Sequence, residues 1–170
     1  MSQDLILVDV FDRAIGSGEK LAVHQAGLLH RAFSVFLVHN GEMLIQKRAN
    51  QKYHSAGLWA NTCCSHPKVG ENLESAARER LWQEAKIVCP IKEVFSFVYR
   101  CEFSNQLTEY EFDHVFLADY EGPFTCNPEE ASEMKWVQFH DLAEDLQKNP
   151  QRYAVWFITA APKVMKLAEM

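Results

Sequence analysis

Two short stretches of this chain hold side chains that could do chemistry together. Residues 59–67 read Trp-Ala-Asn-Thr-Cys-Cys-Ser-His-Pro, which sets Cys64 two residues before His66 and just ahead of Pro67. A thiol and an imidazole so spaced suit metal ligation, or a nucleophile with its base. A buried, inert thiol at a strand end is the plainer use of the same residues. Residues 109–111 read Glu-Tyr-Glu. Side chains alternate along a strand, so Glu109 and Glu111 would face the same way. Like charges side by side are costly unless a cation or a proton sits between them; on an exposed strand they are simply solvated. His24 and His30 are six residues apart. A regular helix aligns positions three or four apart, so a loop or turn must bring these two together. With His66 they would complete a set of three imidazoles and two carboxylates. Mixed nitrogen and oxygen donors suit zinc, manganese or iron(II). Any one histidine alone is more often a hydrogen-bonded residue of intermediate burial.

The elements that must position these groups can be read from patterning. At 170 residues the chain suits one domain, taken here as 1–170, long enough to bury a core without disulfide or metal staples. Residues 5–12 read as a first strand, followed by a glycine-containing turn, IGSG. Residues 31–39 and 42–48 read as strands joined by Asn40-Gly41, a dipeptide suited to a tight hairpin because both turn residues need positive φ. Residues 50–62 form a polar loop. Residues 72–87 have apolar residues at helical spacing, with Glu74 in the first turn where the helix dipole favours it. Residues 91–103 and 109–119 form an antiparallel pair, and residues 134–139 a short strand. Residues 141–148 and 151–168 read as helices broken by Asn149-Pro150. The alternation predicts an α/β (α+β) fold, a mixed sheet flanked by helices.

The net charge of −6 argues against a nucleic-acid partner while leaving room for a local basic pocket that takes a small anion. Five cysteines without zinc-finger or CxxC spacing suit free thiols in a reducing cytoplasm. The N-terminus lacks the basic start of a signal peptide, and the apolar run YAVWFITAAP is too short to span a membrane.

The segment WANTCCSHP closely resembles the signature of type I isopentenyl-diphosphate isomerases. The resemblance continues in HQAGLLHRAFSVFL (24–37), QKR (46–48), the 71–87 helix, EYEFDHVF (109–116) and Trp156. It implies a Nudix-like sandwich, in which only a remnant of the Nudix box persists. Glu71 and the run Glu79-Arg80-Leu-Trp-Gln-Glu84-Ala-Lys86-Ile stand there, with Ser65 and Lys86 where the box has glycines and Glu79 where it has a basic residue. The full carboxylate set of a pyrophosphohydrolase is missing.

The resemblance implies interconversion of isopentenyl and dimethylallyl diphosphate for isoprenoid biosynthesis, by protonation and deprotonation through a tertiary carbocation. Cys64, not Cys63, matches the catalytic cysteine. Glu111, beside Tyr99, matches the acid, and Trp156 would turn its π face to the cation. His24, His30, His66, Glu109 and Glu111 match the transition-metal ligands, although the step from His24 to His30 is one residue shorter than is usual in that family. Glu84 and the backbone carbonyl of Cys64 match a magnesium site, and a single carboxylate suits magnesium shared with phosphate. Lys20, Arg48, Lys52 and Arg80 match the diphosphate-binding cations. The expected partner is the small diphosphate alone, with the protein a monomer or homodimer. The competing readings are a Nudix diphosphate hydrolase and an inactive binding module.

Overall fold

Asn40 and Gly41 turn the chain with φ of 46° and 76°, which closes a tight hairpin between β3 (His30–His39) and β4 (Glu42–Arg48). The computed structural model, which describes residues 3–52 and 54–170, builds a nine-stranded mixed sheet around this hairpin. Before it come β1 (Leu5–Val8), β2 (Ala14–Gly18) and α1 (Lys20–Ala26). After it come β5 (Trp59–Ala60), β6 (Cys63–Ser65), α2 (Leu73–Ala85), β7 (Lys92–Glu102) and β8 (Thr108–Asp119). The chain ends with β9 (Ala131–Gln138), α3 (Phe139–Lys148), a 3₁₀ turn at Pro150–Arg152 and α4 (Val155–Ala168).

The sheet is mixed because β3 runs parallel to β8, from His30 opposite Glu111 to Val38 opposite Asp119, while its other pairings are antiparallel. β3 and β4 pair only over Leu37–His39, next to the turn, and lie apart before Leu37 in β3. β6 takes the vacated edge of β3, with Ser34 opposite Cys64, and β5 takes the edge of β4. Two side chains splice this fork where the ladder is interrupted. The Thr62 hydroxyl donates to Leu44 O at 2.8 Å and accepts from Leu37 N at 3.0 Å. Asn61 Nδ2 donates to Val35 O at 3.1 Å and to Cys63 O at 2.7 Å. Both residues are fully buried, so these bonds meet a requirement that water cannot.

Alternation along β3 and β8 makes two cores. Phe33, Val35, Leu37 and Phe116 pack against Ala77, Leu81 and Ala85 of α2. Phe36, Val38 and Val115 pack on the opposite face against Leu142, Phe157 and Ala161 of α3 and α4. Cys63 belongs to the first core and Cys64 borders the second, as neighbours on an extended segment must.

The structure corrects several boundaries. The strand expected over 5–12 stops at Val8, because the Asp9 carboxylate accepts from Phe11 N and Arg13 N and folds a turn there. IGSG is part of β2 rather than a turn, and pairs with β1. The loop over 50–62 contains β5, and the last strand begins at Ala131 rather than 134. α2 runs from an Asn72 N-cap to Lys86, a non-glycine in the left-handed region at φ 57°. No helix among the described residues is long and apolar enough to cross a membrane.

Candidate active site

His24 lies in the last turn of α1, and Gly27 caps that helix at φ 67°, a conformation that costs a residue with a Cβ about 1–2 kcal/mol. The turn brings the chain straight to His30 at the start of β3. The six-residue step is therefore sufficient, and both side chains are 0% exposed with ring centroids 5.0 Å apart. His66, just beyond β6, completes a triangle with centroids 5.7 Å from His24 and 4.9 Å from His30.

Backbone carbonyls orient two of these rings. His24 Nδ1–H donates to Lys20 O at 2.7 Å, and His30 Nδ1–H donates to Leu28 O at 2.9 Å. Donation at Nδ1 leaves the Nε2 lone pairs directed inward, the arrangement that metal-binding histidines use. Burial pushes the His30 pKa down to about 4 and that of His66 well below its ordinary value, so both rings are neutral.

Glu109 and Glu111 share a face of β8, opposite Cys101 and Tyr99 of β7. The Tyr99 hydroxyl contacts both, at 2.6 Å from Glu111 Oε1 and 3.1 Å from Glu109 Oε2. Glu111 Oε2 is 3.1 Å from His66 Nε2 and 3.7 Å from His30 Nε2. Burial and the neighbouring Glu109 charge drive the Glu111 pKa well above the carboxylate range. Burial works the same way on Glu109, but the imidazoles of His24 and His54 outweigh it and hold Glu109 well below that range.

The donor set fits a divalent metal ion. Ligand atoms of His24, His30, His66 and Glu109 all lie within 4.8 Å of one another. Ligands at about 2.1 Å from a common ion lie roughly 3–4 Å apart, so small rotations close the set. His30 Nε2 is buried with no hydrogen-bond partner among the described residues, an omission a metal bond would remedy.

A cleft of about 590 Å³, counted with its solvent-open mouth, joins this cluster to the cations. Cys64, Tyr99, Glu111 and Trp156 line it together with Lys20, Arg48, Lys52 and Arg80. Burial lowers the Lys20 pKa, and Lys52, Arg80 and Arg48 lower it further, so the four positive charges converge. Arg48 Nε is buried with no hydrogen-bond partner among the described residues, a donor available to an anion. The Arg48 guanidinium stands 5.3 Å from the centroid of the Trp156 ring. Burial pushes the Cys64 thiol up, with Arg48 opposing, so the free cleft holds it as a thiol.

Glu84 is 5% exposed and accepts from Arg80 Nε at 2.9 Å. Burial raises its pKa, with Arg80 opposing. The cleft is lined by most of the residues expected at the site, with His24 and His30 buried behind it; the compact ligand group holds His24, His30, His66 and Glu109 but leaves out Glu111. Sequence reasoning missed two more. Glu130 Oε1 accepts from Arg80 Nη2 at 2.8 Å, and Glu130 also pairs with Lys52. His54 contacts Glu109. The available signal for His54 was its place in the loop that follows Arg48 and carries Lys52; nothing in the pattern marks Glu130.

The NUDIX domain family model matches residues 28–157. The isopentenyl-diphosphate Delta-isomerase 2 of Aromatoleum aromaticum is 45% identical over 166 residues, covering 97% of this chain and 88% of that one. The isopentenyl-diphosphate Delta-isomerase 2 of Photorhabdus laumondii is 49% identical over 158 residues, covering 92% and 89%. The chain belongs to the isopentenyl-diphosphate Delta-isomerase family. Its fold is that of the Nudix proteins. A crystal structure from Deinococcus radiodurans matches with a TM-score of 0.78 over 95% of this chain and 99% of that one, at 18% identity. The MutT protein from Methanosarcina mazei matches with a TM-score of 0.65 over 84% and 96%, at 15% identity. At these identities the structural matches speak for the fold alone, whereas membership of the isomerase family rests on the sequence relatives.

Proposed function

We propose that this chain, acting as one catalytic domain over residues 1–170, interconverts isopentenyl diphosphate and dimethylallyl diphosphate. The observation that carries the reading is one cleft lined by a protonated carboxyl, a thiol and an indole, with four cations converging beside them. The relatives' activity, as their names state it, fits that layout.

Glu111 is the acid, and its raised pKa keeps a proton available in a buried site. The alkene π electrons take that proton at the terminal carbon, leaving a tertiary carbocation. A proton from the neighbouring methylene goes to Cys64 Sγ as thiolate, and the released C–H pair becomes the new double bond. The thiol must therefore first give up its own proton to solvent at the open mouth of the cleft, and Arg48 is the side chain that favours the thiolate. Trp156 places its indole by donating Nε1–H to Asn61 Oδ1 at 2.9 Å, and its face stabilises the cation. Tyr99 holds Glu111 through its hydroxyl.

His24, His30, His66, Glu109 and Glu111 would hold zinc, manganese or iron(II), which supplies positive charge beside the acid. Glu84, with the Cys64 carbonyl, would hold magnesium shared with the diphosphate. Lys20, Arg48, Lys52 and Arg80 bind the diphosphate oxygens. The hydrolase reading fares worse, because Arg80 neutralises Glu84 where phosphoanhydride hydrolysis needs clustered carboxylates. Five free cysteines suit the cytoplasm.

The test is turnover of isopentenyl diphosphate with magnesium in heavy water, followed by proton and phosphorus NMR. Dimethylallyl diphosphate carrying methyl deuterium, with intact diphosphate signals, is expected. Release of phosphate without an alkene shift would establish hydrolysis instead.

A further inference from the structure

A fourth imidazole stands against the carboxylates. His54, on the loop between β4 and β5, is 9% exposed, and its Nε2 lies 2.6 Å from Glu109 Oε1. Its Nδ1 faces Ser55 Oγ at 3.3 Å. A neutral imidazole that donates at Nε2 must accept at Nδ1, and the Ser55 hydroxyl is placed to donate there. This tautomer is opposite to that of His24 and His30, whose Nδ1–H groups are committed to backbone carbonyls. Those two present lone pairs inward; His54 presents a proton to a carboxylate.

Its ring is held for that task. It stacks on Phe103 with centroids 5.1 Å apart and 17° between planes, and meets Trp156 edge-on at 6.1 Å and 83°. The His54 carbonyl also accepts from Arg48 Nη2 at 3.3 Å. One residue therefore touches a carboxylate of the metal cluster through its side chain and a cation of the anion end through its backbone.

We propose that His54 is a positioning residue, which donates Nε2–H to Glu109 Oε1 to hold that carboxylate in its metal-binding rotamer and, through its own carbonyl, links it to Arg48 at the end of β4. The proposal rests on reading the histidine–carboxylate cluster as a metal centre. A donor to a ligating carboxylate fixes its direction, and loss of such a partner typically weakens metal binding about 10–100-fold.

The test uses the full chain stripped of metal and titrated with zinc against a chromophoric chelator, without substrate. His54→Leu should lose about 10–100-fold in zinc affinity. His54→Gln, whose amide N–H can reach the place of Nε2–H, should stay within about 3-fold of wild type. Zinc affinity unchanged in His54→Leu would overturn the proposal. So would an equal fall in both variants, which would make the imidazole nitrogen itself a ligand. Wild-type protein that binds no zinc would instead undo the metal-centre reading. Nitrogen NMR of zinc-loaded wild type gives a readout independent of variant folding. It should find the His54 proton on Nε2 and Nδ1 bare, and a metal-bound Nε2 would refute the donor role.

Discussion

Replacing Asn61 with alanine removes three hydrogen bonds from the fork between β3 and β4. Nδ2 no longer serves the carbonyls of Val35 and Cys63, and Oδ1 no longer accepts from the Trp156 indole. All of this happens at a residue with 0% exposure. A buried polar group left unsatisfied costs about 1–3 kcal/mol, and three, at about 3–9 kcal/mol, would rival a large share of a typical domain's stability of about 5–15 kcal/mol. Water entering the space vacated by the carboxamide recovers part of that. The expected net loss is about 2–5 kcal/mol. Urea unfolding followed by circular dichroism, at fixed metal concentration, measures it. Trp156→Phe removes the indole N–H together with part of the buried ring system, and the lost hydrogen bond should account for about 1–2 kcal/mol of its cost. The double variant should cost less than the sum of the two, because both remove the same bond. If Asn61→Ala unfolds within about 0.5 kcal/mol of wild type, the fork is not held by this side chain and the reasoning fails.

Cys64→Ala should abolish isomerisation with fold and metal content retained, whereas Cys63→Ala, altered on the α2 side of the sheet, should keep substantial turnover; equal loss of activity in two well-folded variants would contradict the alternation argument. Glu84→Gln should raise the magnesium concentration needed for half-maximal rate while the transition metal stays bound, and an unchanged magnesium dependence would count against its role. Burial raises the Asp113 pKa from 3.8 to about 7, with the Ser34 hydroxyl opposing at 2.7 Å. A carboxyl raised on folding contributes stability below its unfolded pKa and loses it as pH climbs through the folded one. Asp113→Asn should therefore flatten the fall in stability between about pH 4 and pH 7, with a ceiling of roughly 4 kcal/mol. Parallel urea titrations of wild type and variant at about pH 5 and pH 8 read this directly, and identical slopes would refute it.

Much of the site was legible because its residues sit where local rules are strict. Glu109 and Glu111 had to share a face once 109–119 was a strand, and Cys63 and Cys64 had to part once their segment was extended. The hairpin at Asn40-Gly41 followed from turn chemistry alone. What escaped was set by packing or by exposed local bonds. α1 is only seven residues long and begins with Glu19, an unusual cap whose carboxylate accepts from Leu21 N and Ala22 N. Val10 and Phe11 look like strand residues but are 61% and 74% exposed, because Asp9 turns the chain beneath them. His54 and Glu130 have no periodic neighbours to mark them. Their positions depend on how two loops meet across the cleft, which no local pattern encodes.

The fork also explains how one cleft can serve two unlike ends of a substrate. A continuous β3–β4 ladder would separate the α4 face, where Glu111, Tyr99 and Trp156 stand, from the α2 side that carries Arg80 and Glu84. Divergence of the strands on the N-terminal side of Leu37 in β3 lets β6 slip in beside β3 and brings Cys64 to the cleft beside both groups. The Nudix helix keeps its place under the sheet, and in the proposed function its charges hold the diphosphate rather than hydrolyse it. Arg80 pairs with Glu84 and Glu130, which raise its pKa despite its burial, so that end is organised around a retained cation. A permanently charged guanidinium holds phosphate oxygens without activating water against them. Under the proposed function, proton chemistry falls to the buried carboxyl of Glu111 and the thiol of Cys64, whose pKa values burial raises. Keeping the diphosphate whole and moving the double bond are therefore consequences of the same geometry.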